Sequence, residues 1–214
     1  MSLLLVRHGE AEHHVQEITG GWTDTELTEL GRRQVELLAD RLGHELAGVS
    51  LLLATSRLRR AIQTAEIISR KLGVDYEIQP ALVDLNNGIA AGKTHAEAKS
   101  LALQPVEPLL DWQPYPDAES WRQFYNRVAK FMHTFTSQHD GTALMVTHAA
   151  NIHSMVAWWL GVPVESRSHI AVEPASLTVL NLNRSKERTL ERLNDCAHLY
   201  AFGLGQSGIP PIHP

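Results

Sequence analysis

The sequence predicts an α/β protein with a three-layer α/β/α arrangement, in which helices cover both faces of a mainly parallel central sheet. Three observations carry this expectation. Short apolar runs recur along the chain, each about as long as a strand buried on both faces. Longer segments with apolar residues at helical spacing lie between them. Two of the apolar runs end abruptly in a histidine, at His8 and His148, as expected where strands of such a sheet deliver residues to a ligand crevice at their carboxyl ends.

Residues 3–6 form the first apolar run and end in Arg7-His8-Gly9. A polar loop leads to a helix beginning near Thr28, whose apolar stripe is Val35, Leu38, Ala39, Leu42 and Leu46. Residues 50–54 read as a second buried strand, followed by a helix with Leu58, Ala61, Ile62, Ala65, Ile68 and Leu72 on one face. Residues 74–78 are a third strand. The stretch 80–117 contains Pro80, Pro105, Pro108, Pro114 and Pro116 and is expected to be loops around a short helix at 95–103. A long amphipathic helix is expected over 117–138, a fourth strand over 143–146, and another helix through Ile152, Met155, Val156 and Trp159. Residues 177–182 and 189–193 read as a hairpin. The Gly- and Pro-rich tail, residues 203–214, is expected to be loosely held. No internal repeat or domain boundary is visible, so residues 1–214 are read as one domain.

Composition narrows the function. The 214 residues are 43% hydrophobic and 20% charged, with a net charge of −5. This argues against a large nucleic-acid footprint but leaves room for a local arginine cluster that binds a phosphorylated small molecule. No run approaches the roughly 18 apolar residues of a membrane helix, and the start lacks the pattern of a signal peptide. A single cysteine, Cys196, cannot form an internal disulfide, which fits a reducing cytoplasm. Oligomeric state is not legible.

Three segments carry chemistry. In Arg7-His8-Gly9-Glu10 a strand-end imidazole stands beside a guanidinium fork suited to phosphate oxygens; the plainer reading is a buried structural histidine beside a surface arginine. Ser56 to Ala65 begins a helix after a strand, with Arg57 and Arg60 three apart; they are either anion ligands or a solvated basic face, and Arg59 is read as solvated. Thr147-His148 repeats the strand-then-histidine pattern, either as a donor to a phosphoryl group or as a satisfied core residue. Trp158 and Trp159 read as helix packing. Twelve histidines raise the question of a metal, with His8, His13 and His14 the obvious group. Adjacent loop residues seldom ligate one ion, and no carboxylate or cysteine completes a known spacing, so metal: none is the expectation.

Together these segments resemble the histidine phosphatase (phosphoglycerate-mutase-like) superfamily. Leu5 to Gly31 is similar to its opening, with Gly21, Asp24, Leu27 and Thr28 in place. Ser56 to Ala65 resembles S-P-L-x-R-A-x-Q-T-A, and Leu82 to Gly92 resembles its acid loop. Glu119-Ser120 matches a helix start, Thr147-His148 the second histidine, and the hairpin with Asn194 to Leu199 the ending. The resemblance spans roughly residues 3–200. It implies a phosphoglycerate-mutase-like fold and hydrolysis of a phosphate monoester, with His8 as phosphoryl acceptor, Arg7, Arg60, His148 and His14 as phosphate ligands, Asp84 as acid/base, and no cofactor or metal.

Four positions depart from the pattern. Asp84 replaces a glutamate, losing roughly 1.5 Å of reach, an error of catalytic consequence. Either the backbone moves inward, or the acid works poorly, or Glu119 serves instead; Asp84 could otherwise cap the Asn86-Asn87-Gly88 turn. His14 replaces an asparagine, Ala11 a threonine, and Ala149-Ala150 two glycines. A phosphoglycerate mutase is the runner-up, disfavoured because residues 84–93 are short and hold only Lys93 as a base. A non-catalytic binding relative is the outsider.

Overall fold

A computed structural model describes residues 1–166, 169–200 and 202–204. The tail expected to be loosely held, residues 203–214, lies from residue 205 onward outside the described residues. Six strands form one sheet in the order β3-β2-β4-β1-β5-β6. These are β1 (Ser2–Arg7), β2 (Leu51–Thr55), β3 (Tyr76–Ile78), β4 (Thr142–Thr147), β5 (Leu177–Leu182) and β6 (Arg188–Asp195). The first four are mutually parallel, β5 runs antiparallel to β1, and β6 pairs antiparallel to β5 and so returns to the direction of the first four.

The alternation within β1 shows why its run is continuously apolar. Leu3 and Leu5 pack under α5 (Trp121–Gln138) and α6 (Ala149–Leu160), against Phe124, Val128, Met132, Met155 and Trp159. Leu4 and Val6 face α2 (Glu29–Glu45) and α3 (Arg59–Leu72), against Val35, Leu38, Leu42, Ala61 and Ile68. Both faces are covered, so neither set of side chains has a polar option. Fully burying one such side chain is worth about 1.5–3 kcal/mol, which fixes β1 and β4 as the rigid centre of the sheet.

Two expected boundaries move, each for a local reason. The long helix starts at Trp121 rather than 117, because Ser120 caps it: Gln123 N–H donates to Ser120 Oγ at 3.2 Å and Ser120 N–H to Gln123 Oε1 at 2.8 Å. Asp117, at φ 61°, turns the chain before that cap. Helix α3 starts at Arg59, so Arg57 precedes it and does not share a helical face with Arg60. A short helix, α1 (Glu12–Val15), occupies what reads as loop in the sequence, and the short helix expected at 95–103 is α4 (His95–Leu101).

Helix α2 begins against the residues that follow β1. A Cβ on Gly31 would lie 1.9 Å from the Glu10 carbonyl oxygen, and one on Gly9 would lie 2.5 Å from the Gly31 carbonyl oxygen. The two glycines permit this close approach of backbone to backbone.

Candidate active site

His8 and His148 are neighbours because their strands are. Arg7 pairs with Thr147 in register, and the His8 N–H donates to the Thr147 carbonyl at 3.0 Å. The two imidazoles leave adjacent strands at the same rim, with ring centroids 5.1 Å apart. The third parallel strand brings Ser56 to the same place, its N–H bonded to Val146 O at 3.1 Å.

The hydrogen bonds assign tautomers. His8 Nδ1 lies 2.7 Å from the Gly9 carbonyl, which can only accept, so Nδ1 carries the proton and Nε2 keeps its lone pair. Arg60 Nε donates to that Nε2 at 3.1 Å. Burial, and then the charge of Arg60, hold the His8 pKa well below 6.5, so the ring is neutral. Ser56 Oγ accepts from Leu58 N and lies 2.9 Å from His148 Nε2. With the hydroxyl proton given to Nε2, His148 Nδ1–H is the free donor. It has no hydrogen-bond partner and lies 3.7 Å from Asp84 Oδ2.

Arg60 is fully buried and aimed by backbone carbonyls: Nη1 donates to Thr23 O at 2.6 Å and Nη2 to Gly21 O at 2.8 Å. Nη2 also reaches Asp84 Oδ2 at 3.3 Å. Arg7 is anchored through Nη1 to Val172 O, its Nη2 lies 2.9 Å from His14 Nε2, and its Nε is buried without a partner. His14 receives the Ala11 N–H on Nδ1 at 3.1 Å, so its neutral form carries the proton on Nε2. Desolvation and Arg7 lower its pKa to about 4. Arg7 and His14 therefore converge donor to donor, an arrangement that an anionic oxygen placed between them satisfies on both sides.

All six sequence-selected residues, Arg7, His8, His14, Arg60, Asp84 and His148, meet at this rim. The two candidate acids are distinguished by their partners. Glu119 is clamped by Arg127, Oε1 to Nε and Oε2 to Nη2, both at 2.9 Å, and takes the Asn86 N–H at 3.0 Å. It braces the loop and does not face the histidines. Asp84 faces Arg60 and His148, and burial raises its pKa above 3.8 in spite of Arg60. Its backbone oxygen is held from two sides, by Trp22 Nε1–H at 2.8 Å and Arg127 Nη2 at 3.1 Å. Sequence reasoning gave no role to Trp22, Arg127 or Ser56, although all three lie within segments that carry the resemblance.

His8, His13 and His14 do place one ring nitrogen each within 4.8 Å of one another, contrary to the expectation for adjacent loop residues. Their surroundings suit an anion instead. Arg60 donates to His8 Nε2, Arg7 Nη2 stands against His14 Nε2, and the proton on His14 Nε2 stands where a metal would need a lone pair. His13 Nδ1 is engaged with Thr25 Oγ1 at 2.8 Å.

The family model of the histidine phosphatase superfamily (branch 1) matches residues 3–196. A Hydrogenobacter thermophilus relative carrying the name of phosphoserine phosphatase 2 is 31% identical over 202 residues, 92% of this chain and 96% of that protein. A Proteus mirabilis relative named as a probable phosphoglycerate mutase is 26% identical, covering 96% and 98%. The crystal structure of an alpha-ribazole phosphatase from Shigella flexneri is similar with a TM-score of 0.79 at 28% identity, covering 92% of this chain and 97% of that one.

Proposed function

The chain belongs to the histidine phosphatase superfamily and, like its relatives named as phosphatases, is a phosphoric monoester hydrolase; we propose that it works on a small phosphorylated substrate through a phosphohistidine formed on His8 Nε2. The observation that carries this is the tautomer of His8: a buried, neutral imidazole whose lone pair points at a guanidinium. The Nε2–P bond forms as the ester P–O bond breaks. Arg7, Arg60, His14 and His148 donate to the non-bridging oxygens as charge spreads over them. Asp84, protonated, gives its proton to the leaving oxygen. Water then attacks phosphorus, passes a proton back to Asp84, and the N–P bond breaks to release phosphate.

The mutase reading has one observation in its favour, the named mutase among the relatives. A non-catalytic role loses its main support, because the substitutions at residues 14 and 84 leave a convergent donor set. A cytoplasmic setting fits the single buried thiol of Cys196. Among the described residues no helix is long and apolar enough to cross a membrane.

The test is phosphate release from small esters and from p-nitrophenyl phosphate. Release to water without added 2,3-bisphosphoglycerate supports the hydrolase. Isomerisation of phosphoglycerate that depends on the bisphosphate, with little free phosphate, would replace it with the mutase.

A further inference from the structure

Arg57 is exposed at the mouth of the site and has no acceptor among the described residues. Its neighbours locate it. Ser56, one residue before it, touches His148. Its guanidinium carbon lies 4.7 Å over the centroid of the Trp22 ring, and the N–H of that indole is bonded to the backbone oxygen of Asp84. Trp22 is itself fixed by its backbone N–H, which donates to Asn87 Oδ1 at 2.9 Å. Arg57 therefore sits on a shelf whose far edge is the acid loop, on the side from which the leaving oxygen takes its proton.

The other arginines around these loops are committed. Arg59 pairs with Glu26 at 2.7 Å while its backbone N–H meets Asp24. Arg60 is buried and turned inward, onto His8, Thr23, Gly21 and Asp84, at the phosphoryl side of the site. Arg127 holds Glu119 and three backbone carbonyls. Unlike these three, Arg57 has no hydrogen-bonding or ion-pair partner for its fork of donors among the described residues. Stacking on an indole orients a guanidinium and leaves its in-plane N–H groups available.

We propose that the Arg57–Trp22 shelf is the leaving-group subsite, and that it selects phosphomonoesters whose alcohol half carries one carboxylate a few bonds from the ester oxygen. A planar guanidinium fork matches a carboxylate in two parallel hydrogen bonds. One free fork matches one such group. The proposal rests on the reading of His8 as phosphoryl acceptor only in assigning which half of the substrate lies here.

A matched pair of ligands tests it: 3-phosphoglycerate and glycerol 3-phosphate, which differ in carboxylate against hydroxymethyl. Calorimetric affinities are measured on His8→Ala, where turnover does not interfere, and on His8→Ala/Arg57→Gln. Expected is a preference of about two- to fivefold for the carboxylate ester, as for an exposed ion pair, reduced to near parity by Arg57→Gln and partly kept by Arg57→Lys. In hydrolysis by the parent and by Arg57→Gln, the same loss should appear in KM more than in kcat. No preference in the parent background, a preference untouched by Arg57→Gln, or no binding of either ester would overturn the proposal. Hydrolysis of both esters with no preference leaves the hydrolase standing and the subsite refuted. A preference in binding without any turnover does the reverse.

Discussion

Asp84 has to be a proton donor and a neighbour of Arg60, and these demands pull its acidity in opposite directions. Burial wins: the carboxyl is raised above 3.8 even with Arg60 Nη2 at 3.3 Å. The backbone clamp from Trp22 and Arg127 sets where the shorter aspartate carboxyl projects. If Asp84 protonates the leaving oxygen, Asp84→Asn should slow esters of poor leaving groups about a hundredfold or more, the usual range for general acid catalysis, and activated aryl esters much less. Activity should also fall on the alkaline side as Asp84 ionises. Equal losses on alkyl and aryl esters, measured as kcat/KM, would assign Asp84 a structural role. His8, His148 and Arg60 were legible in the sequence because strand ends and a helix start present them. The choice between Asp84 and Glu119 was not, since it depends on Arg127, which contacts Glu119 from the second turn of a helix and the Asp84 carbonyl from 43 positions away.

Among the elements, α1 is the one the sequence hid. Four residues give no periodicity to read, and its place is set by tertiary bonds: His13 to Thr25, and an isolated bridge from Ala11 to Leu27. It brings His13 and His14 beside two arginines, and their pKa values fall to about 3 and about 4, with desolvation the larger cause in both. This has a consequence for stability. Between pH 6.5 and about 3–4 the unfolded chain binds protons that the folded chain refuses, so stability rises with pH across that window and is lost as pH falls through it. Replacing both histidines by asparagine, which does not titrate, should flatten the fall in Tm between pH 6.5 and 4.5. Parallel curves for parent and double variant would show that other groups govern the acid limb. The opposite case is α5, whose periodicity was plain from Phe124 to Phe135 while its start was misplaced by four residues, because a capping box and a positive φ at Asp117 decide the start rather than hydrophobicity.

At the scale of the whole molecule, the sheet order explains why so much of the site was visible in one dimension. Strands β2, β4 and β1 are consecutive neighbours and parallel, so three separate segments end at one rim and each delivers a residue there: Ser56, His148 and His8. Any α/β reading with these strands parallel places them together. What one dimension could not show is the cross-bracing above the rim, where loops around residues 20–24, 84–88 and 117–119 hold one another through side chain to backbone bonds. Such bonds leave no pattern in residue type, because any backbone carbonyl can be the acceptor. That bracing points Arg60 at a neutral His8 and Asp84 at Arg60 and His148, around the imidazole proposed to carry the phosphoryl group during turnover. The most direct measurement is rapid acid-free quenching in alkali during hydrolysis of a radiolabelled phosphate ester, followed by peptide mapping. An acid-labile, alkali-stable label on the peptide containing His8, absent from a folded His8→Ala variant that has lost turnover, is the expected result. Turnover retained in His8→Ala, or label on a different residue, would contradict it.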